Sequence, residues 1–186
     1  TIQNNPSGQI LEMCEKLFLI DCGEGTQNTM RQLACRTARL YNIFISHLHG
    51  DHCFGLPGLL STLSLVDKSS SVTVHIFEDG AEQFRKMMDY FCRDRCYELI
   101  FDVITREPRL VYDDDAISVN TFRLYHRVPA VGFLFREKPK MRHINPDATQ
   151  QWNVPQYFYN SLRQGMDFVT ESGVVIPNRE LTTDAD

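Results

Sequence analysis

The sequence predicts an α/β domain with a mixed, largely antiparallel sheet and helices on its faces. Short apolar runs of strand length recur through residues 1–136, and segments with a helical apolar period interrupt them. From residue 137 the sequence becomes basic, polar and rich in turn-forming residues. We therefore expect a core at 1–136, an arm or insertion at 137–182 and a short tail at 183–186.

A strand–helix–strand unit is predicted first. The continuous apolar run at 17–20 is typical of a strand buried on both faces. A glycine-rich turn follows, and Thr26 is a suitable N-cap for a helix over 27–36. A second buried strand is expected at 41–45.

The remaining helices and strands of the core are predicted from the same two signals, a helical apolar period and apolar runs of strand length. Leucines after the bend at 55–58 predict a short apolar helix. A helix over 81–93 is predicted from apolar residues at 84, 87, 88 and 91, which share one helical face. Further strands are expected at 72–77, 99–104, 109–112, 116–125 and 130–136, with the acidic triplet 113–115 as a turn.

Composition narrows the class of protein. With 42% hydrophobic and 23% charged residues, the chain has the makeup of an ordinary globular protein. No apolar run approaches the roughly 20 residues that cross a bilayer, and we find no signal-peptide pattern. We therefore expect no membrane partner. Six cysteines form no C-x-x-C pair, and without a secretory signal we expect reduced thiols in a cytoplasmic protein. The formal net charge of −5 disfavours a nucleic-acid partner, but a locally basic surface or a metal site offsets it.

The strongest functional signal is the pattern H-x-H-x-D-H within residues 46–52. Residues two apart in an extended chain point the same way, so His47 and His49 can present imidazoles to one ion. A glycine then allows a sharp turn, after which Asp51 and His52 can face a second ion. Three histidines and one aspartate directly after a buried strand predict a metal site. Zinc is favoured, and manganese or iron is tolerated.

One further ligand is expected from a distant part of the chain. His126 ends a predicted strand before a proline-stiffened turn, where it can complete the shell of the first ion. His75 and His143 are alternatives on spacing alone. His75 lies in the middle of a predicted strand, where a packing role suits it. His143 lies in the basic stretch, where surface exposure or an RNA contact suits it.

Three segments together resemble one enzyme family. Residues 45–60, with the histidine pattern and the run F-G-L-P-G-L-L, are similar to the signature of ribonuclease Z, the tRNA 3′-processing endonuclease of the metallo-β-lactamase superfamily. The run L-I-D-C-G-E-G-T-Q at 19–27 and the run H-R-V-P-A-V-G-F at 126–133 match as well, in the family's order. The resemblance implies an αββα metallo-β-lactamase-type sandwich.

The resemblance assigns a role to each matched site residue. It implies that His47, His49 and His126 hold one zinc ion and that Asp51 and His52 hold the other. It also implies that Asp51 is the catalytic acid/base.

Partners are implied in the same way. The substrate is precursor tRNA, whose 3′ trailer is removed to leave a 3′-hydroxyl, and the enzyme is a homodimer. Residues 137–182 correspond to an arm that grips the body of the tRNA. Candidate phosphate contacts in this arm, each also typical of an ordinary solvated charge, are Lys138, Lys140, Arg142, Arg163 and Arg179.

The family also has donors for which we find no counterpart: a later aspartate that bridges both ions, and histidines that complete the second site. We therefore expect about half of the full fold, an incomplete second zinc site, weak substoichiometric metal binding and little or no nuclease activity from this chain alone. Two alternatives remain. One is another hydrolase of the same fold, acting on a small phosphodiester, thioester or lactam; the other is a non-catalytic RNA-binding half.

Overall fold

A computed structural model describes residues 6–65 and 70–185. Residues 1–5 and 66–69 of the predicted core and residue 186 of the predicted tail lie outside the described residues. The chain forms two compact units, which are divided between Glu137 and Lys138.

The first unit consists of strands that alternate with helices and then follow one another. In chain order its elements are β1 (Gln9–Met13), β2 (Lys16–Ile20), α1 (Thr26–Gln32), β3 (Leu40–Phe44), α2 (Gly50–Cys53), α3 (Leu56–Leu63), β4 (Val72–Phe77), α4 (Glu78–Phe91), β5 (Leu99–Ile104), β6 (Leu110–Asp113), β7 (Ile117–Arg123) and β8 (Val131–Glu137). The predicted strands agree with the observed ones to within two residues at each end. Their apolar runs are therefore sufficient to locate them.

Two sheets make up the first unit. The larger sheet has the order β1-β2-β3-β4-β5, and the smaller one has the order β6-β7-β8. Of the eight strand pairings in the described parts of both units, five are antiparallel, as the predicted fold class requires. The larger sheet is nevertheless mostly parallel, because β2, β3, β4 and β5 run in the same direction. The carboxyl ends of β3, β4 and β5 therefore share one edge.

Residues with positive φ account for two differences from the prediction. Strand β1 is unpredicted, and it joins β2 through a tight turn at Cys14 and Glu15, where φ is 47° and 60°. Such turns usually carry Asn or Gly, so this one gives no sequence signal. Helix α1 begins at Thr26 after the N-cap Gly25 and ends before Ala34, whose φ of 52° stops it short of the predicted end.

The two sheets and the helices form three layers. One face of the larger sheet packs against α1, α3 and α4 through the buried side chains of Leu19, Ile43, Val74, Met30, Leu59 and Phe84. The opposite face packs against the smaller sheet, where Phe18 and Phe44 contact the cluster of Ile117 and Val119. This helix–sheet–sheet order gives three of the four layers of the expected αββα sandwich.

The second unit has a small core of its own. In chain order its elements are β9 (His143–Ile144), α5 (Pro146–Gln151), α6 (Tyr159–Arg163), β10 (Phe168–Val169), β11 (Val175–Ile176), α7 (Asn178–Leu181) and β12 (Thr182–Thr183). Val154, Leu162, Ile176 and Leu181 are buried together. The region predicted to be an arm or insertion therefore has a hydrophobic core of its own. None of the helices in the described part of the chain has the length and apolar character needed to cross a bilayer.

Candidate metal centre

The histidine segment leaves β3 at the shared strand edge and is fixed there by both sheets. The Ile45 N–H donates to the carbonyl of His75 in β4 at 2.9 Å. The next residue, Ser46, accepts from the Val131 N–H in β8 at 3.0 Å through its carbonyl. The backbone that enters His47 is therefore held by one hydrogen bond to each sheet.

Three imidazoles meet at this edge. His47 and His49 come from the segment after β3, and His126 comes from the loop between β7 and β8. One ring nitrogen from each lies within 4.8 Å of the others. His49 Nδ1 is 3.0 Å from His47 Nε2 and 3.4 Å from His126 Nε2. We refer to these three residues as the triad.

The triad has the donor chemistry that a transition-metal ion requires. Nitrogen lone pairs gathered at one point repel one another unless a proton or a cation lies between them. Burial, and then the neighbouring rings of His52 and His49, lower the pKa of His47. A neutral imidazole is the form that binds metal. Three imidazoles with a fourth position left open are also a common ligand set of catalytic zinc.

Asp51 and His52 lie beside the triad in the short helix α2. The ring centroid of His52 is 4.0 Å from that of His47, and His52 Nε2 is 3.7 Å from Asp51 Oδ2. The Asp51 side chain is 67% exposed, so its carboxylate is accessible to a ligand. Across residues 6–65 and 70–185, the triad is the one group of three possible metal donors. Asp51 and His52 are therefore two further donor residues beside the triad and not members of it.

Asp21 is a site residue that the sequence prediction missed. It follows β2, is 5% exposed and has a φ of 59°. Its Oδ2 lies 2.7 Å from His52 Nδ1, and its Oδ1 accepts the Ser46 N–H at 2.8 Å. Its Oδ2 also accepts the Ser46 hydroxyl at 3.0 Å, and that hydroxyl oxygen lies 2.9 Å from His47 Nδ1. Asp21 therefore orients two rings of the cluster. An acid directly after the apolar run at 17–20 was the available signal, because a buried carboxylate needs a partner.

Two glycines allow the loops that carry these residues to touch. The Cys22 N–H donates to the His52 carbonyl at 2.7 Å, and the Gly55 N–H donates to the Cys22 carbonyl at 2.8 Å. A Cβ atom on Gly55 would lie 2.1 Å from the Gly23 carbonyl oxygen. A Cβ atom on Gly23 would lie 2.2 Å from the Asp51 carbonyl oxygen. The site therefore requires glycine at both positions.

The two alternative histidines are not members of the triad. His75 is buried in β4, with Nδ1 2.7 Å from Asp102 Oδ2 and Nε2 3.0 Å from Asn42 Oδ1. Its ring stacks on Phe44 with centroids 4.4 Å apart. These contacts give it the packing role that its position in a strand indicated. His143 is exposed in β9 of the second unit.

The basic residues of the second unit differ in their surroundings. The Arg142 Nε donates to Thr182 Oγ1 at 2.7 Å, and its Nη1 pairs with Asp184. Arg142 therefore has a structural role within the unit. The side chains of Arg163 and Arg179 are exposed.

Comparison with protein families matches residues 1–141 to the family described as anti-Pycsar protein Apyc1. The ribonuclease Z of Bacteroides thetaiotaomicron is 44% identical over 183 residues, which cover 98% of this chain and 58% of the relative. The ribonuclease Z of Parabacteroides distasonis is 42% identical over 186 residues, which cover 100% of this chain and 61% of the relative. The chain thus spans about three fifths of the length of these curated relatives.

Comparison with solved structures identifies the fold. The short form of human tRNase Z superposes with a TM-score of 0.64 at 31% identity, covering 74% of this chain and 62% of the human one. The metallo-β-lactamase fold protein YhfI of Bacillus subtilis superposes with a TM-score of 0.53 at 18% identity, covering 73% of this chain and 52% of YhfI. The predicted metallo-β-lactamase-type fold is confirmed.

Proposed function

Because the chain belongs to the family described as anti-Pycsar protein Apyc1 and is a relative of ribonuclease Z, we propose that it is part of a zinc-dependent endoribonuclease. Its reaction is the removal of the 3′ trailer from precursor tRNA, leaving a 3′-hydroxyl on the tRNA. The observation that carries the proposal is the meeting of His47, His49 and His126 beside Asp51 and His52.

The proposed metal is zinc, because neutral imidazoles with a carboxylate suit it well. The triad holds one ion, and Asp51 and His52 contribute to a second. When bound, such a pair of ions lowers the pKa of water and neutralises charge on phosphoryl oxygens.

We propose a different role for each group of side chains at the site. The accessible carboxylate of Asp51 accepts a proton from the attacking water and returns it to the leaving oxygen. Asp21 and Ser46 are positioning residues, because they hold the rings of His52 and His47 without facing the substrate. Exposed arginines of the second unit supply backbone contacts to the tRNA.

A chimera tests the reaction directly. In the ribonuclease Z of Bacteroides thetaiotaomicron, the matching segment is replaced by the 183 aligned residues of this chain. We expect the chimera to cut precursor tRNA at the 3′ end of the tRNA, and we expect His49→Ala in it to abolish cutting. A chimera that folds and binds zinc, yet leaves precursor tRNA intact where the parent enzyme cuts it, contradicts the proposal.

A small phosphodiester is the alternative substrate. Two observations favour it: the formal net charge is −5, and the matched family is described by a name other than ribonuclease. Assays of the chimera on precursor tRNA and on bis(p-nitrophenyl) phosphate separate the two. If the chimera hydrolyses only the small diester while the parent enzyme cuts both substrates, the result supports the alternative. We further propose that the protein is cytoplasmic and forms a homodimer. Sedimentation of the purified chimera tests the homodimer.

A further inference from the structure

A groove with a volume of about 510 Å³ lies on the surface of the second unit. One wall is formed by the turn between α5 and α6, through Trp152, Asn153, Pro155 and Tyr157. The opposite wall is the hairpin of β10 and β11, through residues 168–172. Every lining residue belongs to the second unit, whereas the candidate metal centre belongs to the first, so the two sites share no residue.

Hydrogen bonds within the unit fix both walls of the groove. On the first wall, the Val154 N–H donates to the Thr149 carbonyl at 2.9 Å. On the second wall, the Thr170 N–H donates to the Val174 carbonyl at 2.9 Å, and the Val174 N–H donates to the Thr170 hydroxyl at 3.1 Å. Phe168 packs against the core of the unit. The groove is therefore formed before a ligand binds, which lowers the cost of binding.

Two aromatic rings of the first wall are accessible to a ligand. Trp152 is 38% exposed, and Tyr157 is 84% exposed. Within the described part of the chain, neither the Trp152 indole N–H nor the Tyr157 hydroxyl has a hydrogen-bond partner. Pro155, whose φ is −66°, adds a third apolar ring to the same wall. Each aromatic side chain therefore offers a ligand both an apolar face and a hydrogen-bond donor.

The charge of the groove is negative. Among the described residues that line it, Glu171 is the one with a charged side chain, and it is exposed. Its carboxylate repels the phosphate groups of a nucleic acid, and this lining has no lysine or arginine that would offset the repulsion. The same carboxylate attracts a basic side chain of a ligand. The groove therefore fits a ligand that combines apolar surface, hydrogen-bond acceptors and a positive charge.

We propose that the groove binds a proline-rich segment of a partner protein, with an arginine or lysine beside the prolines. Such a segment forms a polyproline II helix, which has no internal hydrogen bonds and therefore presents its carbonyl groups to donors. Grooves lined by aromatic side chains are the usual docking sites of these segments. The segment is already extended before it binds, so docking costs little conformational entropy. This inference does not depend on the proposed function.

Fluorescence of Trp152 tests the inference directly, because this residue is the only tryptophan in the sequence. The probe is an oligoproline peptide with an arginine at each end, titrated into the 186-residue chain. We expect a saturable change in the emission. A serine–glycine peptide of the same length and charge should bind at least about tenfold more weakly, and so should single-stranded oligoadenylate. Equal binding of the serine–glycine peptide overturns the inference, and so does oligoadenylate that binds better than the oligoproline probe.

Two variants test the parts of the groove separately. Tyr157→Ala removes an exposed ring and should weaken binding of the oligoproline probe by about tenfold. Glu171→Gln removes the negative charge. It should reduce the preference for the probe over the same peptide with glutamine in place of each arginine, because the carboxylate is the partner proposed for the basic side chain.

Matched controls are available at exposed positions outside the groove, Tyr90 in the first unit and Glu180 in the second. Tyr90→Ala and Glu180→Gln should bind the probe like the unaltered chain. Unchanged affinity in folded Tyr157→Ala overturns the inference, and so does an unchanged preference in Glu171→Gln.

Discussion

Asp21 Oδ2 lies 2.7 Å from His52 Nδ1, so an acid outside the H-x-H-x-D-H pattern orients one of its rings. Through the Ser46 hydroxyl the same carboxylate also reaches His47. Each of these rings then keeps Nε2 for a metal ion. Carboxylate partners of this kind fix the ring and raise its basicity as a ligand.

We predict that Asp21→Asn weakens zinc binding by about 10- to 100-fold. Asn tolerates the left-handed backbone at this position, where φ is 59°. The change therefore removes charge and acceptor capacity while keeping the turn. Competition with a chromogenic chelator measures the affinity.

The matched control is Asp102→Asn. Asp102 lies at the same distance of 2.7 Å from a histidine, His75, which is not in the triad. We expect it to lower thermal stability and to leave zinc affinity unchanged. Equal zinc affinity in Asp21→Asn and the unaltered chain contradicts the positioning role.

Removal of His126 should separate metal binding from folding. Its side chain is exposed, so His126→Ala should leave the melting temperature of the metal-free chain unchanged. Zinc stabilises a protein only when it binds the folded state better than the unfolded state. We therefore expect zinc to raise the melting temperature of the unaltered chain and to raise that of the variant much less.

His143→Ala, in the second unit, is the control and should respond to zinc like the unaltered chain. Elemental analysis after exhaustive dialysis gives the stoichiometry. The described donors are three at the triad and two beside it, so we expect at most one tightly held ion per chain. Two retained ions would show that the second position is complete.

Gly55→Ala should destabilise the site through the backbone. Its new Cβ would lie 2.1 Å from the Gly23 carbonyl oxygen, so the loops after β2 and α2 must separate. Overpacking of this kind costs about 1–3 kcal/mol. Urea unfolding measures the loss. Gly58→Ala is the control, because its Cβ meets an atom no closer than 3.5 Å and alanine favours the helix; its stability should be unchanged or higher.

Asp114 should make stability depend on pH. Burial raises the pKa of its carboxyl, but hydrogen bonds from Lys16, Tyr112 and the N–H groups of Ala116 and Ile117 outweigh burial, and the pKa falls below its usual range. The ionised form is therefore the stabilised one. Its contribution is present above the unfolded pKa of about 3.9 and is lost as the pH falls through the folded pKa.

We predict that Asp114→Asn lowers the free energy of unfolding at pH 7 by about 1–3 kcal/mol. The difference from the unaltered chain should shrink as the pH falls below about 4. Urea unfolding at a series of pH values checks both statements. The exposed neighbour offers a control: Asp115→Asn should change little at any pH. A difference independent of pH would assign the effect to packing.

Loss of exposed basic residues from the second unit should weaken tRNA binding in the chimera. The double variant Arg163→Gln/Arg179→Gln removes two proposed phosphate contacts, so affinity should fall and its salt dependence should become shallower. Hydrolysis of bis(p-nitrophenyl) phosphate should stay the same. An equal loss on both substrates would refute this division of labour. Arg142 is left intact because Thr182 and Asp184 hold it.

Elements and motifs contained in one short segment could be predicted from the sequence, whereas contacts between distant segments could not. The strands could be predicted because each apolar run carries its own signal, and the H-x-H-x-D-H pattern lies within one short segment. His126 could not be separated from His75 and His143 by spacing, because its place depends on how β7 and β8 return to β3. Asp21 was missed for a similar reason: its partners are 25 and 31 residues away.

The triad takes His49 from a loop of the larger sheet and His126 from a loop of the smaller one, 77 positions along the chain. An ion held by both therefore acts as a cross-link that closes this long stretch. Closing a long stretch restricts the unfolded chain, as a disulfide does, and the entropic benefit grows slowly with length. A metal ion bound at the triad would therefore also link the two β-sheets of the first unit to each other.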